Sequence, residues 1–436
     1  MKKHLTLFAV ATFALAQAGL GPCLATAQGA NLGNELFKLT ATDATGDQGF
    51  ATSVALSGNT VIIGSPADHA AGDFAGSAYL YNVSTGQQRS KLFASDAARH
   101  DGFGISVDIS GDKAIVGASG DDFARGSAYL FDALTGQELF KLTASDGNTN
   151  QIFGFSVAIS GNTALVGAPR NADFGFRSAY LFDVTTGEEL FKLTPSDLFV
   201  HFGGAFGISV AISGNTAIIG APLDDEAGSD SGSAYLFDVI TGQQLFKLTA
   251  SDASGGEAFG GSVAISGNIA IVGAIGDAHA GIESGSAYLF DVITGQELAK
   301  FTAADAAAGG RFGSSVAISG NLALIGSDRD AHAGLHSGSA YLFDVMTHEQ
   351  LIKLTASDAA EGQFFGESVS ISGKHALVGS VGAAPYGAAY VFSTVPEPAS
   401  LALLALGLPL LMWRNSRRLT GSVRGQGQLS SARSDA

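Results

Sequence analysis

Acidic side chains recur at equivalent positions of a repeated loop in this chain, and they could bind a cation or a polar ligand. Carboxylate oxygens suit Ca²⁺, which takes about six to eight oxygen ligands. Each acidic loop supplies only a few, so we predict weak calcium binding at most, no confident metal site and no other cofactor. An ordinary solvated loop is the alternative. The candidate ligand or cation face comprises Asp68, Asp121, Asp122, Asp173, Asp224, Asp225, Asp277 and Asp330.

A second set of aspartates ends each copy of a segment that reads roughly LFKLTASD. An aspartate at such a place commonly caps a turn with its side chain, and that is our first interpretation; a cation or ligand surface is the alternative. The members are Asp43, Asp96, Asp146, Asp197, Asp252, Asp305 and Asp358.

An enzyme is the weaker hypothesis. His69, His279 and His332 fall at one repeated loop position, which is more typical of loop variation than of a catalytic base. No nucleophile elbow, phosphate-binding loop or Cys/His metal motif is visible. We therefore predict a non-catalytic protein. The alternative is an envelope enzyme acting on polysaccharide in a central channel, where the unusual segments are residues 199–202 and Pro385-Tyr386.

The elements that position these side chains follow from an internal repeat. A phenylalanine opens each of seven copies, at Phe50, Phe103, Phe153, Phe206, Phe259, Phe312 and Phe365, spaced by 50 or 53 residues. A fixed period of this size indicates a repeat architecture. In the fifth copy, short runs rich in Val, Ile, Tyr and Phe predict strands at 261–265, 269–273, 286–290 and 298–302.

Four strands per copy and seven copies predict an all-β, seven-bladed β-propeller of four-stranded antiparallel blades. An open β-solenoid is the alternative. The segment Leu36 to Thr40 precedes the first copy, and the last copy lacks its own LFKLT, so this N-terminal strand should complete the seventh blade and close the ring. We call the side carrying the long acidic loops the loop face. The opposite side carries the Gly-Asn and Thr-Gly turns, and we call it the turn face.

Recurring small and aromatic residues have structural roles in such a ring. Seven tyrosines should pack between blades. Seven serines should form one ring on the innermost strands: Ser53, Ser106, Ser156, Ser209, Ser262, Ser315 and Ser368.

The repeat motif resembles a known module. The motifs FGxSVA, VGAP (166–169 and 219–222) and GSAYLF resemble the FG-GAP repeat, the module of the integrin α-subunit propeller and of many bacterial surface proteins. The resemblance covers residues 36–392 and implies the propeller fold. Family members often carry a DxDxDG calcium loop in the first hairpin. Here that hairpin is only about as long as Ser-Gly-Asn-Thr, so the usual metal site is not carried over.

Residues 1–27 are predicted to be a signal peptide, with a basic start, an apolar stretch and small residues before a cut. Ala25 and Ala27 precede the cleavage point, and Gln28 becomes the new N-terminus. A short buried helix is one alternative. Cys23, the only cysteine, would allow a lipoprotein, although Pro22 before it fits that poorly.

Residues 395–418 are predicted to be a sorting or membrane segment. Pro396, Glu397 and Pro398 precede the apolar run 401–413 and then Arg414, Arg417 and Arg418. This resembles the PEP-CTERM tail, which implies an exosortase-type sorting enzyme as partner and export to the surface or extracellular matrix of a bacterium. A plain membrane anchor is the alternative, and either would contact the membrane, transiently or permanently. Residues 419–436 are predicted to be a disordered tail.

The distribution of charged residues supports this division into a signal peptide, a propeller and a C-terminal segment. The chain has 23 basic and 40 acidic residues, and the region 28–394 keeps 16 and 38 of them, a net charge of −22. Such a surface repels nucleic acid. We therefore expect residues 28–394 to form one exported propeller that acts in binding, adhesion or scaffolding, with an extracellular polysaccharide or a surface protein as partner.

Overall fold

The computed structural model describes residues 32–44, 46, 48–170, 177–197 and 204–395. Within them, 28 strands form seven separate four-stranded antiparallel sheets. The first strands of successive sheets lie side by side around an axis, so the sheets are the blades of a seven-bladed β-propeller. This confirms the predicted fold class and blade number.

Blades 1 to 4 follow the chain in order. Blade 1 contains β2 (Val54–Ser57), β3 (Thr60–Ser65), β4 (Ser77–Asn82) and β5 (Gln87–Leu92). Blade 2 contains β6 (Ser106–Ser110), β7 (Lys113–Ala118), β8 (Ser127–Asp132) and β9 (Glu138–Leu142). Blade 3 contains β10 (Ser156–Ser160), β11 (Thr163–Ala168), β12 (Ser178–Asp183) and β13 (Glu189–Leu193). Blade 4 contains β14 (Val210–Ser213), β15 (Thr216–Ala221), β16 (Ser233–Asp238) and β17 (Gln244–Leu248).

The remaining blades complete the ring. Blade 5 contains β18 (Phe259–Ser266), β19 (Ile269–Ala274), β20 (Ser286–Asp291) and β21 (Glu297–Phe301). Blade 6 contains β22 (Phe312–Ser319), β23 (Leu322–Ser327), β24 (Ser339–Asp344) and β25 (Gln350–Leu354). Blade 7 contains β26 (Ser368–Ser372), β27 (His375–Ser380), β28 (Ala388–Ser393) and β1 (Glu35–Leu39). A short helical segment, α1 (Asp121–Ala124), lies in a loop of blade 2.

Two kinds of turn set the strand register inside a blade. Ser266 pairs with Ile269 across the two-residue turn between β18 and β19, as the Gly-Asn sequence predicts. Between β20 and β21, the carboxylate of Asp291 accepts the backbone N–H groups of Ile293 and Thr294 at 2.9 and 2.8 Å. An aspartate that bonds its own backbone in this way fixes the turn locally.

The N-terminal strand closes the ring. β1 pairs antiparallel with β28, with Leu39 opposite Ala389. Its Glu35 side chain also accepts the N–H and hydroxyl of Ser357 at 2.9 and 3.0 Å, and Ser357 belongs to the segment that leads out of blade 6. The strand is thus joined to both neighbours, which confirms the predicted closure.

The hydrophobic core lies between blades. One cluster joins Ile62 and Leu80 of blade 1 with Phe103, Val116 and Tyr129 of blade 2, and all five are fully buried. The Phe103 and Tyr129 rings meet edge to face, 5.5 Å apart. This confirms that the repeated tyrosines pack between blades, and it shows that the repeated phenylalanines join them there.

Close approach at the axis explains the recurring glycines and serines. A Cβ atom on Gly64 would lie only 2.0 Å from the carbonyl oxygen of Gly104 in the next blade, so neither position tolerates a side chain. Six serines donate to the carbonyl at the equivalent position of the following blade at 2.7–2.9 Å: Ser106, Ser156, Ser209, Ser262, Ser315 and Ser368. Ser53 instead accepts the N–H of Val107. The predicted serine ring is confirmed as a seam between inner strands.

The long loops that join second and third strands lie beside the connections between blades. In blade 1, the carbonyls of Phe74 and Ala75 accept the N–H groups of Gly102 and Phe103. Both loop sets therefore share the loop face, as expected. In the described part of the chain, no helix is long and apolar enough to cross a membrane.

Removing β1 should open the ring. A chain beginning at Asp43 loses the strand partner of β28 and the buried Leu39, whose burial alone is worth about 2–5 kcal/mol. We expect a clear fall in the free energy of unfolding by urea denaturation, relative to a chain beginning at Leu32. Equal stability of the two chains would show that β1 does not close the propeller.

Candidate functional site

The two aspartate sets meet on the loop face and share one lysine. In blade 1, the Lys91 ammonium lies 2.6 Å from carboxylate oxygens of both Asp43 and Asp68. The Tyr79 hydroxyl donates to the same two carboxylates, at 3.0 and 2.9 Å. The ammonium also stands over the Tyr79 ring, 4.9 Å from its centre. We call this arrangement the Tyr–Asp–Lys cluster.

The lysine, the tyrosine and the first aspartate recur in every blade, and among the described residues blades 1, 2, 4, 5 and 6 also have the second carboxylate. In each blade, a lysine of the outermost strand and a tyrosine of the third strand bind the aspartate that follows the preceding blade. The lysine–aspartate pairs, 2.5–2.7 Å apart, are Lys38–Asp358, Lys91–Asp43, Lys141–Asp96, Lys192–Asp146, Lys247–Asp197, Lys300–Asp252 and Lys353–Asp305. These aspartates therefore connect blades, a role that the sequence did not suggest.

The structure places four of the eight candidate ligand residues inside these clusters. Asp68, Asp121, Asp224 and Asp277 are between 1% and 7% exposed, and each pairs with its blade's lysine. Asp330 is less buried and pairs with Lys353 in the same way. The fold turns the four buried carboxylates toward the lysine, so they do not belong to a solvated loop surface.

Charge pairing stabilises the buried carboxylates in ionised form. Burial by itself raises the pKa of Asp277, but hydrogen bonds from Lys300 and Tyr288 outweigh burial and leave that pKa below its usual value. The pKa values of Asp68, Asp224 and Asp330 are lowered in the same way, each by hydrogen bonds from the lysine and the tyrosine of its blade. The lysine ammonium thus lies between two carboxylates and supplies the positive charge that they need. Among the described residues, no group of three or more His, Cys, Asp and Glu side chains could hold a metal ion.

The other candidates have separate locations. Asp122 is exposed and pairs with Arg125 at 2.9 Å. Asp225 is half-buried and accepts the N–H of Asp230 within its own loop. Asp173, the sorting residues Pro396, Glu397 and Pro398, and the cleavage residues Ala25, Ala27 and Gln28 lie outside the described residues, as do 199–202. The seven candidate aspartates that the structure describes are thus distributed one or two to each of blades 1, 2, 4, 5 and 6, and they do not converge on one site.

Large apolar side chains are exposed at the loop tips, and the sequence reasoning missed them. Phe123, Ile282 and Leu335 are 87%, 79% and 60% exposed, and Phe74 is 43% exposed. One sequence feature could have predicted three of these exposed tips. Phe123, Ile282 and Leu335 each lie six positions before the repeated tyrosine of their blade. Single exposed apolar residues are ordinary, but three of these share one repeat position on one face, and we therefore treat them as a candidate interaction surface.

These tips are held in place by the next blade. Glu283, next to Ile282, has a φ of 56°, and its carbonyl accepts the N–H of Arg311, whose φ is 58°. His336, next to Leu335, bonds Phe364 in the same way, with φ values of 57° and 53°. Positive φ at non-glycine residues is strained and persists only where the surroundings enforce it. The apolar tips therefore stand on a preorganised backbone.

One charged cluster breaks the repeat symmetry. Arg311 and Asp328 of blade 6 replace residues that are uncharged in the other blades, and their side chains are 3.5 Å apart. Among the residues that the structure describes, none offers a hydrogen bond to the buried Oδ1 of Asp328. At Glu367 of blade 7, burial and then the charge of Asp328 raise the pKa to about 7. Sequence reasoning missed this cluster, because a charge in one copy of seven resembles ordinary variation.

The fold and the repeated blade define a seven-bladed propeller of four-stranded blades. Comparison with known families then shows which kind. The FG-GAP repeat matches seven times, over residues 34–81, 87–131, 137–182, 188–237, 243–290, 296–343 and 348–392. The chain belongs to this FG-GAP repeat family, as the motifs suggested. No curated protein matches it.

The C-terminal segment matches a second family. Residues 394–418 match the PEP-CTERM protein-sorting motif, which confirms the predicted resemblance of the tail. The motif indicates export to the cell envelope of a bacterium and implies processing by exosortase-type sorting machinery.

Replacing the lysine of one cluster should destabilise the propeller. Lys300→Met leaves Asp252 and the buried Asp277 without their cation. Breaking a fully buried pair costs about 3–5 kcal/mol, and since Asp252 is half exposed we expect about 2 kcal/mol in urea denaturation. Lys113→Met is the control, because its carboxylate partners are 3.7 and 3.9 Å away. Equal stability of both variants would contradict the role of the cluster.

Glu367 predicts a pH dependence with a definite sign. Because its pKa is raised in the folded chain, the stability linked to its protonation is complete below about pH 4.5 and is lost as pH rises through about 7. Glu367→Gln should therefore be about 1–2 kcal/mol more stable than the parent at pH 8, after allowance for partial exposure, and lose that advantage at pH 5.

The measurement is urea denaturation at both pH values. Glu361→Gln, at an exposed position, is the control and should show no such pH-dependent difference. A difference between Glu367→Gln and the parent that does not change with pH would contradict the raised pKa.

Proposed function

We propose that this exported propeller is a non-catalytic binding or scaffold module whose loop face takes a surface protein or polysaccharide of the cell envelope. The observation that carries the proposal is the set of apolar tips, Phe123, Ile282 and Leu335, exposed on a backbone locked by the neighbouring blade. Preorganised apolar residues lose little conformational entropy on binding, which suits them as anchors.

Acidic groups surround these anchors. Asp122 is exposed beside Phe123, and Glu283 follows Ile282 in the same loop. Arg125 pairs with Asp122 at 2.9 Å and Arg329 lies 3.9 Å from Glu283, so the rim presents solvent-exposed ion pairs that can bind the hydroxyl or charged groups of a partner. The buried aspartates of the Tyr–Asp–Lys clusters do not take part, since their lysines already neutralise them. Calcium, if it binds, would use the exposed rim carboxylates and bind weakly.

The alternative is a polysaccharide-acting envelope enzyme. The observation that favours an enzyme is the set of Arg311, Asp328 and Glu367, which occurs only once in the ring. A catalytic site needs polar residues in one or two blades, whereas a repeated binding surface would place equivalent residues in most blades. Glu367, with a pKa of about 7, has the protonation range of a general acid or base. We rank the enzyme hypothesis second, because the exposed apolar tips recur in blades 2, 5 and 6, whereas the charged set occurs once, where blade 6 meets blade 7.

A matched pair of variants tests the binding proposal. Purified full-length protein is incubated with isolated matrix polysaccharide and, separately, with outer-surface protein from its host. We expect the triple change Phe123→Ser, Ile282→Ser and Leu335→Ser to lose binding to one of these fractions. The control carries Leu134→Ser, Ile240→Ser and Ile293→Ser, which are 62%, 65% and 65% exposed on the turn face.

The outcomes separate the hypotheses. Loss of binding only in the loop-face variant supports the proposal. Equal binding of both variants, or no binding by the parent, overturns it. Release of sugar fragments that Glu367→Gln abolishes would favour the enzyme.

A further inference from the structure

The chain leaves the propeller on the turn face. β28 ends at Ser393, and the N–H of Thr394 donates to the carbonyl of Lys374 at 2.9 Å. In blade 4, Val239 makes the equivalent bond to Asn215, at the start of the turn between the third and fourth strands. Thr394 therefore stands where that turn begins in the other blades. The sequence continues from there to the apolar run 401–413.

The N-terminal end of the propeller lies at the same place. The N–H of Gly33 donates to the carbonyl of Ser393 at 2.8 Å. Both ends of the described chain are thus on one face, and the long loops are on the other.

Aliphatic side chains are exposed at the equivalent turns of other blades. Leu134, Ile240, Ile293 and Met346 are 62%, 65%, 65% and 71% exposed, and each is the second residue of its turn. Their backbone N–H groups are bound by the turn aspartates at 2.8–3.0 Å, so the side chains are held outward. Single exposed apolar residues are ordinary, but these four share one repeat position on the face from which an apolar segment leaves.

Charge distinguishes the two faces. Five of the seven hairpins on the turn face end in an uncharged Gly-Asn pair, and the other two contribute Asp112 and Lys374. Exposed carboxylates of the loop face include Asp122, Asp230 and Glu283, whereas the turn aspartates of the other face, such as Asp291, are half-buried and accept hydrogen bonds from their own turns. Anionic lipid headgroups repel acidic surfaces, so they oppose contact with the loop face more strongly.

We propose that the turn face lies against a lipid surface while the C-terminal segment holds the protein at the membrane, and that the loop face points away from it. The aliphatic turn tips then enter the interfacial region of the bilayer. This inference rests on the position of Thr394 and on the turn-face side chains. It does not require the loop face to bind a partner.

Two single-cysteine variants of the full chain test the orientation. Cys23→Ser removes the only natural cysteine. Asn215→Cys places a fluorophore on the turn face of blade 4, and Ser229→Cys places it on the loop face of the same blade. The six-residue strand β15 separates these sites by about 20 Å at about 3.3 Å per residue. Each protein is reconstituted into phosphatidylethanolamine and phosphatidylglycerol vesicles containing a headgroup nitroxide.

We expect a larger loss of fluorescence at position 215 than at position 229. Adding Ile240→Ser, Ile293→Ser and Met346→Ser should reduce the quenching at 215, whereas Ile282→Ser with Leu335→Ser should not. Circular dichroism checks that the variants remain folded. Equal, reversed or absent quenching overturns the proposal, as does cross-linking of two chains through position 215 without quenching. None of these results bears on binding by the loop face.

Discussion

The interaction on which the blade interfaces of this propeller depend is a lysine ammonium bound to the aspartate that follows the preceding blade, and in five blades of the described chain the same ammonium also binds a second carboxylate. In blade 5, Lys300 joins Asp252, which follows blade 4, to Asp277 of its own blade. Tyr288 donates to both carboxylates and lies beneath the ammonium. One side chain thus neutralises a buried acid and ties two blades together. The repeat places a similar lysine–aspartate link at every interface, including the closing one, where Lys38 of the N-terminal strand binds Asp358.

This link allows an acidic protein to keep its carboxylates close together. A negatively charged surface destabilises a compact chain by self-repulsion. Here many of the carboxylates lie beside lysine ammonium groups. The apolar contacts between phenylalanine and tyrosine rings pack beneath these ion pairs. The strained backbone on the loop face depends on the same interfaces, because Glu283 and Arg311 keep positive φ only while blades 5 and 6 stay in register. The side chains of the loop face and the turn face can therefore differ, while the contacts between neighbouring blades stay the same around the ring.

Much of the fold could be predicted from the sequence, because the repeat reports it directly. The spacing of Phe50 and its counterparts gives the blade count, and the unmatched segment near Leu36 indicates the closure. The burial of Asp277 could not be predicted, because an aspartate in a glycine-rich loop usually belongs to a solvated turn. Its partner Lys300 is distant in sequence, and only the blade geometry brings them together. Glu367 and Asp328 were missed for a related reason, since neither belongs to the repeat pattern.

A double-mutant cycle between Asp252 and Lys300 tests this account most directly. The free energy of unfolding is measured for the parent, Asp252→Asn, Lys300→Met and the double variant. If the link joins blades 4 and 5, the two single effects are not additive, and the coupling is about 1 kcal/mol in favour of the pair. Additive effects within about 0.3 kcal/mol would mean that the two residues act independently, and the blades would then be held by the apolar seam alone.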